Sequence, residues 1–83
     1  MSKKEMLEKY GDVDMIFYGY CKYTFTYIGF TDKGLKVVAR AGGTPSSIYE
    51  DEVMAGISDK LRDLLAYEVY VWKGDTLVEE FNE

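Results

Sequence analysis

The stretch from Gly19 to Phe30, GYCKYTFTYIGF, places five aromatic rings within twelve residues of an 83-residue chain. From Lys22 to Ile28 the odd positions hold Tyr23, Phe25 and Tyr27, and the even positions hold Lys22, Thr24, Thr26 and Ile28. Alternation with a period of two is the pattern of a strand with one face buried. Its aromatic and β-branched content suits a pleated surface. Tyr23, Phe25 and Tyr27 share parity with Cys21 and make one candidate core face; Tyr20, Ile28 and Phe30 point the other way.

Working outward, Thr31-Asp32-Lys33-Gly34 reads as a turn in which glycine supplies a positive φ. Leu35, Val37, Ala39 and Ala41 then alternate with Lys36, Val38 and Arg40, which predicts the return strand of a hairpin. Gly42-Gly43 ends it. On the N-terminal side, Met15-Ile16-Phe17-Tyr18 is too short for periodicity to choose between a strand and a helix. Before it, Ser2-Lys3-Lys4-Glu5 fits a capping box. Met6, Leu7 and Tyr10 would share one side of a short helix that stops at Gly11.

Thr44-Pro45-Ser46-Ser47 opens a second predicted helix, proline being suited to a first turn. Met54, Ile57, Leu61 and Leu64 follow at spacings of three, four and three, the core stripe of an amphipathic helix. Gly56 would split it into two shorter pieces. Tyr67 to Trp72 reads as a strand, Lys73-Gly74-Asp75-Thr76 as a turn, and Leu77 to Phe81 as the last strand. A three-residue loop would set Val69, Val71, Leu77 and Phe81 on one face; a two-residue loop would gather Tyr70, Trp72, Leu77 and Phe81. The expected fold is therefore α+β and a single domain over residues 1–83. A small antiparallel sheet of about four to five strands, with two hairpins, packs against one long or split helix, and a short helix precedes it. A sheet covered on one face leaves the other open. Tyr20, Phe30, Tyr70 and Trp72 would make an aromatic patch there, unless the N-terminal helix covers it.

Composition bounds the function. With 47% hydrophobic and 30% charged residues the chain is globular in character. No apolar run approaches the roughly 20 residues of a membrane span. The beginning lacks the apolar core of a secretory signal, and the lone Cys21 suits a reducing compartment, so a cytoplasmic location is expected. A small core leaves a thin margin of stability, which makes a homodimer the expected assembly.

Without histidine, and with one cysteine, the usual nucleophilic triads and zinc sites lack their parts. No catalytic residue, metal or cofactor is expected, and the chain reads as non-enzymatic. Asp12 and Asp14 match no calcium loop, and Glu50-Asp51-Glu52 reads as acids at the positive end of a helix. Arg40, Gly42, Gly43 and Thr44 form a candidate anion-binding loop at a strand-to-helix junction, without the spacing of a P-loop.

The formal charge is −5. Residues 1–42 carry seven Lys or Arg against five Asp or Glu, and residues 43–83 carry three against ten. An acidic half disfavours direct binding to nucleic acid and favours a basic partner. The residues singled out for partner binding are the acids Glu50, Asp51, Glu52, Asp59 and Asp63, with Tyr20, Phe30, Tyr70 and Trp72 as apolar anchors. The expectation is a small acidic binding or inhibitor protein that docks on a basic protein surface. Inhibitors of nucleic-acid-handling systems encoded by phages and mobile elements have this size and charge, an analogy of bulk properties alone. The alternatives are a protein that binds or sequesters a nucleotide-like ligand, and an assembly subunit that pairs through its sheet edge.

Overall fold

A computed structural model describes residues 1–21, 24–42 and 58–83. Its elements, in chain order, are α1 (Lys3–Tyr10), β1 (Asp14–Cys21), β2 (Thr24–Phe30), β3 (Lys36–Gly42), β4 (Ser58–Lys60), a single 3-10 turn (Leu61–Asp63), β5 (Glu68–Lys73) and β6 (Thr76–Asn82). The strands form one antiparallel sheet in the order β4-β1-β2-β3-β5-β6.

This corrects the expected fold class. The sheet has six strands rather than four or five, and the helix predicted from Thr44 to Leu64 does not run through its second half. Ser58–Lys60 is a strand paired with Asp14, Met15 and Ile16, and Leu61–Asp63 is one 3-10 turn. The part of that prediction from Thr44 to Ile57 lies outside the described residues. Distance gives the physical reason. The chain leaves β4 at one edge and enters β5 four positions away, a span of about 19 Å at ordinary strand spacing. Eight residue steps of α-helix would advance only about 12 Å. The crossing segment therefore cannot be an α-helix throughout; it needs a rise of about 2.4 Å per residue, and a single 3-10 turn followed by irregular chain makes the span. Leu65, at φ 54°, takes the left-handed conformation that ends a helical turn.

Leu61 and Leu64 still use the apolar stripe that suggested a helix, because the crossover lays them on the core. The turn is latched to the loop after α1. Leu61 N–H donates to the Val13 carbonyl at 3.0 Å, and Arg62 N–H donates to the Gly11 carbonyl at 3.1 Å. The Arg62 guanidinium also pairs with Asp12.

The helix itself forms as the sequence predicts. Ser2 accepts from the Glu5 N–H at 3.1 Å, and the Glu5 carboxylate reaches back to the Ser2 N–H. Those bonds from Ser2 hold the Glu5 pKa below its ordinary value. Met6 and Tyr10 are buried, with Leu7 packed beside them.

The hairpin of β2 and β3 keeps the predicted parity. Phe25, Tyr27, Val37, Ala39 and Ala41 are buried, and Gly34 turns the chain at φ 81°. The ambiguous run Met15 to Tyr18 is strand, and Met15 is fully buried. Phe17 meets Phe25 and Tyr27 edge-to-face, with ring centroids 6.4 and 5.8 Å away. Two bulges reset the alternation. Phe17 pairs with Tyr27 and Gly19 with Thr26, so Tyr18 is the extra residue in β1. In β6, Trp72 pairs with Leu77 and Val71 with Glu79, so Val78 is the extra one. The second bulge resolves the last hairpin as neither predicted register. The turn is the two-residue Gly74-Asp75, yet Phe81 pairs with Val69 and is buried, while Leu77 is partly exposed opposite Trp72.

The core therefore lies on one face of the sheet. Met15, Val37, Val69 and Val71 are fully or almost fully buried there under Met6, Tyr10 and Leu61. Gly29 marks the closest approach within it. A Cβ at that position would overlap the Asp14 carbonyl oxygen and stand 2.6 Å from the Met15 sulfur. Gly29→Ala is expected to lower unfolding free energy by about 1–3 kcal/mol in urea titration. Gly19→Ala, where an added Cβ meets nothing within 4 Å, should change it by less than about 0.5 kcal/mol. Equal effects would contradict the packing described.

Candidate functional site

Opposite the core, the register assembles a second face. Ile16 pairs with Ile28, Ile28 with Val38, and Val38 with Tyr70. An apolar stripe therefore crosses β1, β2, β3 and β5. A flanking row places Phe30 beside Lys36, Lys36 beside Trp72, and Trp72 beside Leu77. Among the described residues no element lies against this face. Ile16 is 54% exposed and Phe30 63%. Ile28, Val38, Tyr70 and Trp72 are half-buried. On the other flank Arg40 and Glu68 form an ion pair at 3.5 Å, and the Tyr70 hydroxyl donates to Asn82 Oδ1 at 3.0 Å.

Phe30, Tyr70 and Trp72 thus share this face, with Lys36 between Phe30 and Trp72. Tyr20 pairs through its backbone with Phe25, because the bulge at Tyr18 has shifted the register. The candidate acids do not join the rings. Asp59 pairs with Met15 on β4, across the sheet from β5, and so belongs to the covered side. Asp63 is exposed in the 3-10 turn. Glu50, Asp51 and Glu52 lie outside the described residues, as do Gly43 and Thr44 of the candidate anion loop. Of that loop, Gly42 ends β3 in an exposed position, and the Arg40 guanidinium is already engaged by Glu68.

Sequence reasoning missed Ile16, Lys36, Val38 and Glu80 as members of the open face. Val38, between Lys36 and Arg40 on the polar parity of its strand, was the available signal.

A cleft of about 750 Å³ opens at one end of the sheet, where the C-terminus of α1 meets the β2–β3 and β5–β6 turns. Its acids are largely answered: Asp12 by Arg62, Asp14 by Lys60 at 2.7 Å, and Glu79 by Lys9. Lys9 also stands over the Tyr10 ring at 5.6 Å. The Glu79 bond holds the Lys9 pKa above its ordinary value, and burial, reinforced by Glu79, raises that of the Tyr10 hydroxyl. This arrangement ties α1 to β6. Among the described residues no three or more His, Cys, Asp or Glu side chains are grouped so as to hold a metal ion. Among the described residues no helix is long and apolar enough to cross a membrane. No protein-family model, curated protein or solved structure matches the chain.

Both Lys9 and Tyr10 have pKa values raised by folding. Their contribution is complete below the ordinary values of 10.5 and 10.0, and is lost as pH rises through the folded-state values. The Tm should therefore fall above about pH 10, and Tyr10→Phe should make that fall shallower. Identical pH profiles for the two proteins would contradict a buried Tyr10 beside Glu79.

Proposed function

We propose that this chain is a small, acidic, non-enzymatic binding protein that works by laying the open face of its sheet against another polypeptide. The carrying observation is the stripe Ile16–Ile28–Val38–Tyr70, bordered by Phe30 and Trp72, which no element among the described residues covers. Contiguous apolar surface of this kind marks interaction sites, and tyrosine and tryptophan concentrate binding energy at the centres of interfaces. The net charge of −5 favours approach to a target with basic groups around the contact. Inhibition of a basic, nucleic-acid-handling protein is one form that such docking takes.

Strand addition at a sheet edge is the weaker alternative. β4 has only three residues, and β6 carries a bulge at Val78 and the exposed Glu80. Short, kinked and charged edges are the usual protection against such pairing. The nucleotide-binding alternative loses support from the engagement of Arg40 by Glu68.

Immobilised protein should retain a defined set of basic proteins from its native host's lysate, less so as salt rises from about 0.1 to ~1 M. Trp72→Ala and Ile28→Glu, each confirmed folded by circular dichroism, should reduce that retention at least about tenfold. Retention undiminished by both variants would refute docking through this face.

A further inference from the structure

The open face differs in charge from the rest of the molecule. Its described strand residues include three cations, Lys36, Arg40 and Lys60, and three carboxylates, Asp14, Glu68 and Glu80. Two of these couples are satisfied within the chain, Asp14 by Lys60 and Glu68 by Arg40. Lys36 and Glu80 are exposed and make no ion pair among the described residues. Among the described strand residues the face is thus neutral, on a molecule of net charge −5, and these residues present one charge of each sign without an ion-pair partner.

The register gives these two charges a definite relation. Lys36 lies across from Trp72 on one side of β5, and Glu80 lies across from Tyr70 on the other. The midpoint of Lys36 and Glu80 therefore falls between the two rings. A twofold axis in the interface plane, through that midpoint and perpendicular to the line from Lys36 to Glu80, brings Lys36 of one copy to Glu80 of the other, and the reverse. Such self-complementarity is what a symmetric contact requires.

We infer that the partner on the open face is a second copy of this chain, held by Tyr70 and Trp72 at the centre and by two reciprocal Lys36–Glu80 pairs. The inference rests on the reading of that face as the docking surface. In such a dimer the neutral faces meet, and the excess negative charge stays on the periphery.

The test is sedimentation equilibrium of the purified full chain from about 1 to ~500 µM, a range that brackets a Kd on the order of 10 µM. Wild-type protein should be dimeric at the upper end, and Ile28→Glu should weaken association at least about tenfold. Lys36→Glu and Glu80→Lys should each weaken it about three- to tenfold, and the double variant should recover to within ~threefold of wild type. Since folding is untouched by surface charge reversal, that recovery distinguishes a reciprocal pair from general damage. A dimer indifferent to these substitutions, or one not recovered by the double variant, overturns the inference. A chain monomeric throughout also overturns it. If Ile28→Glu and Trp72→Ala still abolish capture of a basic lysate protein by that monomer, the docking face survives; if they do not, both readings fall.

Discussion

The architecture depends on a short tether. Seven residues, 61–67, lead from β4 at one edge of the sheet to β5 beside β3. So few residues cannot cross the covered face as an α-helix, and in crossing they place Leu61, Leu64 and Ala66 over the sheet. The backbone bonds from Leu61 and Arg62 to Val13 and Gly11 anchor the start of the crossing, and α1 packs against it. Much of the apolar cover on this face is supplied by a connection, with one eight-residue helix beside it. A helix that short is marginal alone, so its packing and its cap must hold it.

Because the described cover lies on one side, the two faces of the same strands differ in environment. Alternate residues of β2, β3 and β5 build the core, and their immediate neighbours build the open surface. The pleat makes this division without additional chain length. The backbone that presents Ile28, Val38, Tyr70 and Trp72 is therefore stiffened by the burial of Tyr27, Val37, Val69 and Val71. A flat, stiff apolar surface suits recognition, since little side-chain or backbone freedom remains to be lost on contact.

Much of this was legible in the sequence. The β2–β3 hairpin was readable because its alternation is strict and its turn has a glycine where φ is positive. The capping box around Ser2 and Glu5 is likewise local chemistry. The failures have a common cause, which is that the deciding interaction is distant along the chain. Met54, Ile57, Leu61 and Leu64 satisfy a helical spacing, but for the last two the distance between β4 and β5 determines conformation. The bulges at Tyr18 and Val78 leave no mark in periodicity, so the parity of Tyr20 and Leu77 could not be followed past them. Phe30 could be assigned to its face because strand parity is local and no bulge interrupts β2. The placement of Asp59 away from the rings could not be read this way, since it depends on which edge β4 joins.

The interleaved strand order also has a kinetic meaning. β1 with β2, β2 with β3, and β5 with β6 are neighbours in sequence as well as in space, and each can close over a short loop. The seams β1–β4 and β3–β5 join segments tens of residues apart, and both must be in place before the crossover has anything to lie upon. Closing such distant contacts is slow compared with zipping a hairpin. During that delay the ribbons that will become a buried layer remain wet on both sides, and the rate at which the last hairpin finds β3 limits how long the nascent molecule stays adhesive.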